Sequence, residues 1–73
     1  MSTATASIDV RLNGEAFRLP AGSTISDLLA RLGLPEDRVA VELGGRIVRR
    51  PDWPATRLEA GAAVEVVQLV GGG

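Results

Sequence analysis

The chain contains no cysteine and no histidine. Their absence excludes disulfide frameworks, zinc sites, haem attachment and Cys or His nucleophiles together. Lysine is missing too, since all eight basic residues are arginine. One reading is codon bias in a GC-rich genome; the other is functional, since no side-chain amine is left to attack an activated acyl group. No apolar run approaches the roughly 20 residues of a membrane span. The formal net charge is only −1, so neither a nucleic-acid footprint nor a membrane-surface patch is indicated. The opening "MSTATAS" is polar and uncharged and lacks the basic and apolar regions of a secretory signal. Residues 1–7 are therefore expected to be a disordered tail on a cytoplasmic protein.

What is present is a small apolar domain. At 73 residues the chain is one domain, and folding buries only about 60% of the surface its unfolded form exposes. With no disulfide or metal ligand set, stability must come from the core. The 45% hydrophobic composition is sufficient to attempt one.

The apolar pattern divides into distinct segments. In "SIDVRLNGEAFRLP", Ile8, Val10 and Leu12 share one parity, and Phe17 and Leu19 share one after the turn. Asn13-Gly14 between them suits a two-residue turn of positive φ, which makes this an opening hairpin. In "AGSTISDLLARLGLP", Ile25, Leu28, Leu29 and Leu32 form one helical stripe. Thr24 and Asp27 have capping-box spacing, Gly33 suits the left-handed stop and Pro35 prevents continuation. Val39, Val41 and Leu43 then alternate, and Gly44-Gly45 permits a reversal into a short strand, Arg46 to Val48. The turn-rich stretch around Pro51, Trp53 and Pro54 has room for a single helical turn at most. The last strand runs from Ala63 to Val70.

These elements predict an α+β fold. The final strand cannot pair only with a short neighbour, and its best long-range position is parallel to the opening strand at the sheet centre. One helix across one face of a mixed sheet of four to five strands is a ubiquitin-like β-grasp, here over residues 8–70. Residues 71–73 are then a flexible glycine tail.

The final strand has two faces with different expected fates. Glu65 marks its parity as the solvent side, so Val64 and Val66 belong to the core. Val67 and Leu69 are then apolar residues on the open face, and with Val70 they lead into the tail as a candidate partner-binding surface. The alternative is that the crossover around Trp53 covers that face. Gly73 presents a carboxylate with no Cβ beside it, while Gly71 and Gly72 let the backbone thread a narrow channel. A carboxylate becomes electrophilic when it attacks the α-phosphate of ATP to form an acyl-adenylate. A persulfide on a partner enzyme can then displace AMP and lead to a terminal thiocarboxylate. The carrier supplies reach and a recognition surface, and its partner supplies charge stabilisation. No carboxylate pair in this chain is set for catalysis, so the chain is expected to be acted upon by enzymes.

From about Ile8 to Gly73 the sequence resembles the ThiS family of sulfur carriers. The resemblance rests on "LNGE", "PAGSTISDLLARLGLP", "RVAVELGGRIV", "RRPDW" and the ending "VEVVQLVGGG". Gly44 departs from the usual Asn, and Arg49 from a frequent Pro; Gly-Gly serves the same turn geometry as Asn-Gly. The resemblance implies that a ThiF-like enzyme adenylates Gly73 and a cysteine-desulfurase relay supplies sulfur. A ThiG-like thiazole synthase then accepts it for thiamin biosynthesis. Gly73 would bear the sulfur, Gly72 would be the required spacer and Gly71 would add reach. No cofactor is expected on the chain itself; ATP is consumed by the partner. The same tail would also serve a MoaD-like or tRNA-thiolation carrier, a ubiquitin-like modifier that conjugates to lysines, or an interaction domain with an inert end.

Overall fold

Asn13 and Gly14 both adopt positive φ, 51° and 87°, the pairing that matches a two-residue turn to the twist of its flanking strands. The turn joins β1 (Ser7–Leu12) to β2 (Glu15–Pro20), with Leu12 opposite Glu15 and Ser7 opposite Pro20. The computed structural model describes residues 6–69. Strand β1 thus begins at Ser7, inside the stretch expected to be a tail. Pairing with Pro20 and a hydrogen bond from Ala21 N–H to the Ala6 carbonyl at 2.9 Å hold it there.

Helix α1 (Ile25–Leu32) has the expected ends. Thr24 Oγ1 accepts from Asp27 N–H at 3.2 Å, and Asp27 Oδ2 accepts from Thr24 N–H at 2.9 Å, a complete capping box. Gly33 is left-handed, with φ 70°. Its N–H donates to Ala30 O, and Leu34 N–H donates back to Leu29 O, which satisfies carbonyls the helix end would leave unpaired. At only two turns, α1 persists through packing. Ile25, Leu28 and Leu29 are fully buried against the sheet, and Leu32 packs beside them.

A short 3₁₀ turn (Glu36–Arg38) leads into β3 (Val39–Leu43), and Gly44-Gly45 reverses the chain into β4 (Arg46–Val48). Strand β5 (Ala63–Gln68) completes a five-stranded sheet of order β2-β1-β5-β3-β4. It runs parallel to β1 and antiparallel to β3 at the sheet centre. This is the β-grasp arrangement expected from the sequence. Strand β5 stops at Gln68, short of Val70, which lies outside the described residues.

The crossover departs from expectation. It forms a six-residue 3₁₀ helix (Arg50–Ala55), longer than the single turn anticipated. Runs beyond three or four residues are uncommon, so this one needs an anchor. Trp53 supplies it: its ring is buried in the core at 2% exposure, and its Nε1–H donates to Val48 O at 2.8 Å. The segment is also tied to the start of α1. Ile25 N–H donates to Thr56 O at 3.0 Å, and Leu58 N–H donates to Ser23 O at 2.8 Å. Trp53 and Leu58 join Val10, Leu19, Val39, Val41, Val64 and Val66 in one core with the helix.

Candidate carrier tail and docking face

The two parities of β5 separate as predicted. Val64 and Val66 are buried, while Glu65, Val67 and Leu69 are exposed. Trp53 lies in the core with Val64 and Val66, so the crossover sits on the helix side. The reading in which it covers Val67 and Leu69 is thereby removed.

The open face can be followed across the sheet by register. Val67 pairs with Ala40, Glu65 pairs with Glu42, and Glu42 pairs in turn with Ile47 of β4. Residues opposite each other on neighbouring strands share a face. Ile47 therefore stands on the same face as Val67, diagonal to it across β3. Ile47, Val67 and Leu69 are the exposed large hydrophobic residues among those described. Ile47 was not anticipated from sequence, because a three-residue strand offers too little alternation to show which side faces out.

The root of the tail is fixed. Beyond β5, Leu69 N–H still donates to Arg38 O at 2.7 Å, and an open hollow beside it is lined by Pro35, Asp37, Arg38, Gln68 and Leu69. The expected tail residues Val70, Gly71, Gly72 and Gly73 lie outside the described residues.

Charged groups on the sheet are solvated. Arg18 Nε donates to Asp9 Oδ1 at 3.1 Å across β1 and β2. This hydrogen bond and the Asp9 charge push the Arg18 pKa further above its ordinary value. Glu42 and Glu65 oppose each other on the open face, beside the apolar residues. Among the described residues, no group of three acidic side chains is placed to hold a metal ion.

Comparison with known proteins now bears on this geometry. The ThiS family model matches residues 10–73. The chain belongs to the ThiS family. Its structure is similar to the crystal structure of the thiamine biosynthesis protein ThiS from Geobacter metallireducens. The TM-score is 0.78 at 29% identity, covering 90% of this chain and all of that one. It is 39% identical over 64 residues to a thiazole synthase of Magnetococcus marinus, and 34% identical over 62 residues to one of Paramagnetospirillum magneticum. These matches cover 88% and 85% of this ThiS-family chain but only 20% and 19% of those proteins. The chain thus spans about a fifth of the length of these relatives. Family and structural likeness agree on this assignment to the ThiS family.

Proposed function

We propose that this chain carries sulfur to thiazole formation on the carboxylate of Gly73. A ThiF-like enzyme would join that carboxylate to AMP from ATP with loss of pyrophosphate. The terminal sulfur of a persulfide, fed by a cysteine-desulfurase relay, would displace AMP. A thiol would then cleave the resulting acyl disulfide and leave the thiocarboxylate. A ThiG-like thiazole synthase would accept this sulfur. The chain itself would be the co-substrate of these enzymes, not a catalyst, in the cytoplasm where ATP and the sulfur relay are at hand.

The observation that carries the proposal is the placement of β5. A central strand, held on both sides, turns Val67 and Leu69 outward immediately before "VGGG". An enzyme could grip that face, with Val70 beside it, while Gly71 and Gly72 thread its channel. The thiazole synthase relatives support the choice of acceptor, because a segment like this chain forms part of those longer proteins.

The test is the intact mass of the chain after incubation with ATP, a ThiF-like enzyme and a sulfur source. Exchange of one oxygen for one sulfur is expected, and it should vanish when Gly73 is deleted. An unchanged mass with an enzyme proven active on another carrier would refute the proposal.

A further inference from the structure

Asn13 does more than turn the hairpin. Its Oδ1 accepts from Val66 N–H at 2.9 Å, and its Nδ2 donates to Val66 O at 3.2 Å, across 53 residues of sequence. Only one orientation of the carboxamide satisfies both groups, since Val66 N–H needs an acceptor and its carbonyl a donor.

The position of this contact explains it. Along the β1–β5 seam, Arg11 N–H donates to Ala62 O at 2.8 Å and Asn13 N–H donates to Val64 O at 2.9 Å. A parallel ladder would next use the N–H of residue 15 for Val66 O. Glu15, however, has already crossed the turn and opens β2. Backbone pairing of the seam accordingly ends at Leu12–Val64. The Asn13 carboxamide, itself an amide with one acceptor and a donor, supplies the missing rung.

We infer that Asn13 is a positioning residue for the C-terminal strand: its side chain registers β5 at Val66, and so fixes where Val67, Leu69 and the tail leave the sheet. Glycine could make the same turn, because Gly44-Gly45 takes similar φ values of 60° and 83°. It could not make the rung. Asn is also among the few residues with a side chain that tolerate positive φ, so turn and latch can coexist at one position.

The test uses the isotopically labelled full chain. In the wild type, a scalar coupling across the hydrogen bond should link the Val66 nitrogen to Asn13 Cγ; its absence would overturn the inference without any variant. Asn13→Gly keeps the turn and removes the carboxamide. Two hydrogen bonds at ordinary net strength predict about 5- to 100-fold faster amide exchange at Val66, equivalent to about 1–3 kcal/mol. The acceleration should exceed that at Leu28 and Leu29 in α1. Equal acceleration at all three would mean a general structural role and overturn the positioning role. A second readout rests on the sulfur-carrier reading: KM for the chain in loading should rise while kcat holds, since the tail is untouched. An unmoved KM with loosened Val66 would also count against positioning. If the wild type is not loaded at all, the carrier reading fails, and the exchange measurement still decides the role of Asn13.

Discussion

Replacing Ile47, Val67 and Leu69 together by serine should abolish tight docking of the carrier and leave its fold intact. The three residues are 73%, 55% and 51% exposed, so each leaves more than half of its surface on the open face for a partner to cover. Complete burial of such a side chain is worth about 1.5–3 kcal/mol. Scaled by the exposed fractions, covering all three in a complex would contribute about 3–5 kcal/mol. At 1.4 kcal/mol per tenfold, this is a loss of two to nearly four decades in affinity. Serine forms strands less readily, but the full span of strand preference is only about 1 kcal/mol per site. The assay is calorimetric titration into a thiazole synthase and into an adenylating enzyme, with amide spectra confirming the fold. The heat capacity change of binding should also become less negative, because less apolar surface is buried. Affinity within about threefold of wild type, under 1 kcal/mol, would refute the assignment of this face to docking.

Other perturbations test different links. Leu28→Ala empties a fully buried position and should cost about 2–5 kcal/mol in urea unfolding; a loss below about 1 kcal/mol would mean α1 does not pack as described. Trp53→Phe leaves the Val48 carbonyl without its indole partner and should cost about 1–3 kcal/mol, read in the same experiment. Glu65→Gln relieves the like-charge pair with Glu42 and should stabilise by about 0.2–1 kcal/mol at low salt. That gain should shrink at high salt, where exposed charges are screened. Deleting Gly71 keeps the terminal residue but shortens the tail by about 3.5 Å. Loading should fall by at least about 100-fold with docking affinity unchanged; undiminished loading would show that reach is not limiting.

Much of the architecture was legible because its signals are local. Asn13-Gly14, the Thr24–Asp27 spacing and Gly33 each fix a backbone geometry through residues a few positions apart, and all appear where the sequence placed them. The central position of β5 followed by elimination, and its parity showed Val64 and Val66 as core and Val67 and Leu69 as open face. The crossover was not legible in the same way. Two prolines around Trp53 disrupt any period, and burial of the indole depends on Val48 and the helix start, which local pattern does not encode. Ile47 was missed because three residues give no reliable alternation. The Asn13 carboxamide was missed because its partner is remote in sequence; only the register of β1 against β5 brings Val66 to it.

The proposed carrier role poses a mechanical problem that the sheet would resolve. The proposed reactive group would have to reach into a partner, while the proposed recognition surface would have to stay rigid enough to define where that group arrives. In this chain the boundary between the two demands is sharp. Val66 is held from the β1 side by Asn13, and Leu69 from the β3 side by Arg38. Between that anchor and the carboxylate proposed to carry sulfur lie Val70 to Gly73, and four residues span at most about 13–14 Å. More residues between the last anchor and the proposed reactive group would extend its reach but lower its effective concentration at a partner's site. Pinning the strand close to its end keeps that number small. It also places the exposed Val67 and Leu69 at the end of that strand, so under the proposed function one strand would set both the docking contact and the direction of insertion.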